Sequence, residues 1–150
     1  MIGDLSRRQI EELLKWRFYG HLGCCTQKGM YIVPILYAYK DGAIYSHTYE
    51  GRKIRLMRQN PHVCFQVDRI DDLCTWKSVV AWGKFQELRG EKAVHAVRLL
   101  SRKLRHVIEN GEYCLSLKRD GASHLSRRDG RKVVLYKIKV ATITGRFERS

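Results

Sequence analysis

The chain has 150 residues, 44% of them apolar and 29% charged, which is the size of one domain and excludes both a disordered chain and a disulfide-dense miniature scaffold. Twenty-nine Lys and Arg against 15 Asp and Glu leave a net charge of +14, so an anionic partner is expected: nucleic acid, an anionic surface or a phosphorylated small molecule. The longest apolar run, residues 31–39, holds Pro34 and is about half as long as a membrane-crossing helix, so no transmembrane helix is expected.

Ser6 and Gln9 have the spacing of a capping box, with Leu5 and Ile10 at the staple positions. Ile10, Leu13 and Leu14 form an apolar face reaching Trp16, which predicts a short amphipathic helix ending near Arg17. Residues 18–26 and 30–40 are rich in aromatic and β-branched side chains and flank the turn Gln27-Lys28-Gly29, which predicts two antiparallel strands. Asp41-Gly42 is a second turn, and residues 43–48 should complete a three-stranded meander. Pro34 cannot donate to a ladder, so an edge, a bulge or a ligand is expected there.

Residues 51–60 read as a short helix with Ile54 and Met57 inward, stopped by Pro61. Val63, Phe65 and Val67 alternate with Cys64, Gln66 and Asp68 in the next strand. A loop through Asp71, Asp72 and Cys74 leads to a long strand at 77–88, where Gly83 predicts a bend. Ala93, Val97, Leu100, Leu104 and Val107 recur at helical spacing, and that row is expected to pack on the protein's own barrel. Residues 110–131 hold the turn dipeptides Asn110-Gly111, Asp120-Gly121 and Asp129-Gly130. Residues 132–142 form the last strand, with Tyr136, Ile138 and Val140 alternating with lysines. About six strands in runs, with three helices, predict a single mainly β domain built as a small antiparallel barrel.

The five cysteines, Cys24, Cys25, Cys64, Cys74 and Cys114, are odd in number and form no C-x-x-C pair, so reduced thiols and no metal site are expected. Cys24 and Cys25, adjacent on a strand, should point to opposite faces, which makes core filling the expected use of the inward one. The start, Met1-Ile2-Gly3-Asp4, lacks the basic flank and apolar stretch of a signal peptide, and a cytoplasmic location is expected.

The chemistry concentrates in Tyr45-Ser46-His47-Thr48-Tyr49-Glu50-Gly51-Arg52-Lys53, where a strand runs into a glycine and two cations at a helix start. Free amides, the positive end of the helix dipole, the hydroxyls of Ser46 and Thr48 and the charges of Arg52 and Lys53 can converge there on a phosphate. The dipole disfavours cations at that end, so their placement suits an anionic ligand better than helix stability.

Ile32-Val33-Pro34-Ile35, Tyr39-Lys40-Asp41-Gly42-Ala43-Ile44-Tyr45-Ser46-His47, Glu50-Gly51-Arg52-Lys53 and Asn60-Pro61-His62-Val63-Cys64-Phe65-Gln66-Val67-Asp68 resemble the pyridoxamine 5′-phosphate oxidase-like flavoproteins, closest to the nitroimidazole-resistance branch. Ser78-Val79-Val80-Ala81-Trp82-Gly83 and Ile143-Thr144-Gly145-Arg146 extend the resemblance over most of the chain. It implies a split β-barrel of FMN-binding type, a homodimer with FMN at each end of the subunit interface, and the phosphate held by Ser46, His47, Thr48, Arg52 and Lys53. Val33, Pro34 and Ile35 would lie along the isoalloxazine ring, with Trp76, Lys77 and Ser78 of the partner subunit closing the pocket. The implied activity passes hydride from NAD(P)H through FMN to a small acceptor such as a nitroaromatic, a quinone or another flavin, with His47 as the one acid–base candidate. Haem-handling and deazaflavin-binding relatives mean that the fold does not fix the cofactor. The competing expectation is a basic nucleic-acid-binding β-barrel without redox activity. It is disfavoured because cations and aromatics are not interleaved on one strand face and no RNP-like or zinc motif is present.

Overall fold

A computed structural model describes residues 1–109 and 132–150. The turn dipeptides read between 110 and 131, and Cys114, lie outside the described residues, as does the side chain of Val107. The chain opens with a three-residue strand, β1 (Ile2–Asp4), and the helix α1 (Arg7–Trp16). The capping box forms as the spacing demands: Gln9 N–H donates to Ser6 Oγ at 3.2 Å and Ser6 N–H to Gln9 Oε1 at 2.9 Å. Next come β2 (Tyr19–Thr26), β3 (Gly29–Leu36), β4 (Ala38–Lys40), β5 (Ala43–Tyr49), α2 (Arg52–Gln59), β6 (His62–Asp72), β7 (Thr75–Leu88), α3 (Glu91–Glu109) and β8 (Val133–Glu148).

All pairings are antiparallel, in the order β3-β2-β6-β7-β8-β5-β4, with β1 against β8. This is the mainly β, split-barrel architecture that the sequence implied, with β3 and β4 at the two ends of the path, but the described residues hold eight strands where about six were expected, the short β1 and β4 carrying too few residues to show a period. Pro34 sits on β3, an end strand, where its missing N–H costs no inner ladder bond.

The expected meander is corrected. Residues 30–40 break at Tyr37, so β3 stays with β2 while β4 turns away to pair with β5. Tyr37 is fully buried, its N–H donates to Phe18 O at 3.0 Å, its hydroxyl donates to Leu14 O at 2.7 Å, and its ring lies edge-on to Phe65. Those fixings hold the chain against α1 and β2, and hydropathy alternation along one strand carries no trace of them. The expected loop after β6 shrinks to Leu73-Cys74, with Cys74 N–H donating to Asp72 Oδ1 at 2.7 Å. The last strand runs past 142 to Glu148, because Ile143, Gly145 and Phe147 continue its inward alternation along β7.

Two turns of backbone are fixed by glycine. Asp41 and Gly42 both take positive φ, 49° and 74°, the geometry of a tight hairpin turn whose hand matches strand twist. Gly83 lies where the β7–β8 register shifts, and a Cβ there would come 2.4 Å from Lys139 O. It marks a close backbone crossing, which is why the bend expected at Gly83 needs that residue.

Leu14, Leu22, Ile44, Ile54, Met57, Phe65, Tyr136 and Ile138 fill the barrel interior. Ala93, Ala96, Val97, Leu100 and Leu104 of α3 pack on Ala38, Leu88 and Leu135 as a second cluster, so that helix face covers its own barrel. No helix among the described residues is long and apolar enough to cross a membrane.

Candidate functional site

The site is built where β5 leaves the barrel. Ile44 and Ser46 face inward and are fully buried, and Ser46 Oγ donates to Leu36 O at 2.6 Å, fastening β5 to the end of β3. His47, Thr48 and Tyr49 follow half-buried, opposite Leu135, Val134 and Val133 of β8, and the Glu50 N–H prolongs that ladder onto Lys132 O at 2.9 Å. Gly51 then caps α2 in extended conformation with no side chain to occupy the first-turn amides, and no acidic residue stands in that turn. The ladder thus delivers open amide donors and two cations, Arg52 and Lys53, to one corner.

Ile54 and Met57 anchor α2 to the core, and the helix packs on β2. Arg52 is exposed and stacks its guanidinium on Tyr31 of β3, 4.7 Å from the ring centroid. Lys53 is half-buried, and among the described residues no carboxylate is in ion-pair contact with its ammonium. Burial lowers its pKa, with the Cys24 thiol opposing that shift. Burial, and then the charge of Lys53, lowers the His47 imidazole to about 4. At neutral pH the corner therefore holds a neutral His47 beside a half-buried cation, an arrangement that a compact oxyanion would relieve.

One ion network escapes sequence reading. Arg58, in the last turn of α2, reaches back past the helix start to the carboxylate of Glu50 and across to Glu87 of β7. Arg58 Nη2 lies 3.2 Å from Glu50 Oε2, and Nε and Nη2 lie 3.1 and 2.9 Å from the two oxygens of Glu87. The guanidinium holds the Glu87 carboxyl below the usual carboxylate range. Only tertiary folding brings Glu87 to the other two, so no local spacing signals the network. Tyr31, the stacking partner of Arg52, is a second residue that local spacing does not mark; its place in the hairpin opposite Cys24 is the signal for it.

The remaining expected residues divide into two groups. Val33 and Ile35 point into the core, whereas Pro34 points outward on the same side as Ile32. Trp76 donates its indole N–H to Glu148 Oε2 at 2.9 Å, and Ser78 receives a bond from the Gln66 amide at 3.2 Å. Trp76 and Ser78 lie near the start of the 14-residue strand β7, whereas the ladder ties His47 through Leu135 to Leu88 at its other end. Roughly 30 to 40 Å of strand, measured along β7, separates the two groups within one chain. Chain continuity keeps Ser46, His47, Thr48, Arg52 and Lys53 at one junction, where His47 feels the Lys53 charge while Ser46 and Thr48 face the other side of β5, and Trp76 and Ser78 lie far along β7 from it.

The sheet's outer side carries an apolar row in register: Ile32 opposite Gly23, Gly23 opposite Cys64, and Cys64 opposite Trp82. Ile32 is 65% and Trp82 44% exposed. Cys24 is buried and Cys25 exposed, as strand alternation requires, and Cys24 fills the core. Among the described residues no group of three His, Cys, Asp or Glu is placed to hold a metal.

Residues 6–147 match the family described as pyridoxamine 5′-phosphate oxidase. The chain belongs to that family. An uncharacterized protein of Rhizobium meliloti is 35% identical to this family member over 95 residues, a match covering 63% of each chain. The fold is similar to the crystal structure of a FAD-binding protein from Mesorhizobium loti, with a TM-score of 0.80, 26% identity and coverage of 100% and 98% of the two chains. It is also similar to a candidate 5-nitroimidazole antibiotic resistance protein from Bacteroides thetaiotaomicron (TM-score 0.71, 20% identity, 98% and 87% covered). A FAD-binding protein from Mycobacterium smegmatis shares the fold at a TM-score of 0.65 and 21% identity, covering 99% and 100%. The family resemblance read from the strand motifs is thereby established over nearly the whole chain.

Proposed function

We propose that this protein binds a flavin, FMN, and acts as an oxidoreductase. The observation that carries the reading is Lys53: a half-buried ammonium without a carboxylate partner among the described residues, beside a helix start with no side-chain cap, in a family whose solved relatives include FAD-binding proteins. The donor set fits a phosphate monoester: one half-buried cation, one exposed cation and first-turn amides, joined by the neutral imidazole of His47, which feels the Lys53 charge, or by the Thr48 hydroxyl on the opposite face of β5. Ser46, whose hydroxyl is committed to Leu36, contributes by holding β5 in place. When bound, FMN supplies hydride chemistry between NAD(P)H and a small acceptor such as a nitroaromatic, a quinone or another flavin. The chain's own task is to grip the phosphate and orient the ring. A neutral His47 serves as a hydrogen-bonding contact in the resting site and becomes a proton carrier only if the bound anion raises its pKa.

The same reading includes a homodimer. The outward row Ile32, Cys64 and Trp82 offers an apolar contact face, and Trp76 and Ser78 reach a flavin only if the partner subunit supplies them. Pro34, outward on β3, then lines the ring's edge of that interface. The test is direct. Purified protein should be yellow and release FMN on denaturation, identified by mass against FAD, which shares its ring, ribityl chain and first phosphate. Lys53→Glu should lose the flavin while keeping its circular dichroism. A Lys53→Glu protein as yellow as the parent overturns the assignment.

A further inference from the structure

We infer that Arg58 is a positioning residue for the anion corner, acting through Glu50 and Glu87; the inference rests on the phosphate reading above. The hydrogen bonds of Arg58 go to Glu50 and Glu87. It stands in the last turn of α2, while Glu50 lies just ahead of the cap residue Gly51, so one guanidinium straps the helix along its length. Side chains on a helix lean toward its N-terminus, which is what lets Arg58 reach back that far. Its second edge binds both oxygens of Glu87, fixing the strap to β7. The Glu50 N–H is pinned separately to Lys132 O.

Glu50 is thus held at its backbone by Lys132, just ahead of β8, and at its carboxylate by Arg58, which β7 holds in turn through Glu87. The peptide that follows it is Gly51, whose conformation sets where the first-turn amides and Lys53 point. Glycine gives that turn no side-chain anchor of its own, so the anchoring has to come from its neighbour. The network contributes to stability, since a bidentate guanidinium shared by two partly buried carboxylates is the kind of surface ion pair that does so. Its planar, two-sided grip also gives fixed geometry, and fixed geometry is what a phosphate grip requires.

The experiment compares FMN with riboflavin, which lacks only the phosphate, by fluorescence titration of the parent, Arg58→Met and Glu87→Gln. Arg58→Met should weaken FMN binding about tenfold, the low end of the loss seen when a group that orients a ligand-binding residue is removed, with riboflavin changed less than about twofold. Glu87→Gln, which leaves Arg58 on Glu50, should show a smaller loss with the same preference and provides the readout if Arg58→Met does not fold. Equal losses for FMN and riboflavin, or no loss in either variant, overturn the positioning role. A parent that binds FMN no better than riboflavin overturns the phosphate corner itself, and the role of Arg58 with it.

Discussion

Arg52 rests its guanidinium on the ring of Tyr31, 4.7 Å from its centroid, while Lys53, the next residue, turns into the half-buried corner beside Cys24. Two adjacent cations at one helix start thus have different surroundings and should carry different weight. Lys53→Met should weaken FMN binding about thirtyfold or more, since a charge-assisted bond in partial burial contributes about 2 kcal/mol. Arg52→Ala, losing an exposed cation, should cost less than about tenfold. Parallel fluorescence titrations check the ranking, and equal effects would mean that the corner does not face its ligand through Lys53.

His47 gives the site a pH signature. Burial lowers its pKa to about 4 from an ordinary 6.5, so between those values the unfolded chain binds more protons than the folded one. The contribution is complete above about pH 6.5 and is lost as the pH falls through about 4, by at most about 3 kcal/mol. Urea unfolding of the flavin-free protein from about pH 7 to about pH 4 should show that decline, and His47→Gln should flatten it. A bound phosphate opposes the charge of Lys53, so the His47 titration followed by NMR should move upward when inorganic phosphate is added.

Gly83 and Gly51 should respond differently to the same methyl group. At Gly83 the added Cβ would meet Lys139 O at 2.4 Å and Ile138 Cγ2 at 2.8 Å, so Gly83→Ala should destabilise by about 3 kcal/mol as β7 and β8 are pushed apart. At Gly51 the nearest atom, Tyr49 O, is 3.7 Å away, and Gly51→Ala should cost less than about 1 kcal/mol. Melting curves of the two variants decide this.

The proposed homodimer can be tested on the outer row of the sheet. Replacing Ile32 and Trp82 together by lysine should turn a dimer into a monomer by light scattering, and flavin should be lost with the partner's Trp76 and Ser78. Retention of flavin by a monomeric double variant would show that one chain completes the pocket.

By itself the sequence determined the elements that repeat a local period. The capping box at Ser6, the strand alternation around Phe65, the heptad-like row of α3 and the run from strand to glycine to cations at 46–53 are all spacing signals, and chain periodicity is enough to read them. The motif order also determined the family, because several short segments at fixed separations are jointly distinctive. What only the tertiary structure decided is where the chain turns for non-local reasons. Tyr37 breaks a strand because α1 and Phe65 hold it, Arg58 meets Glu87 from another strand, and Trp76 ends up far along β7 from His47. Those relationships depend on which faces meet after folding. Contacts between residues distant in sequence leave no periodic mark on either partner.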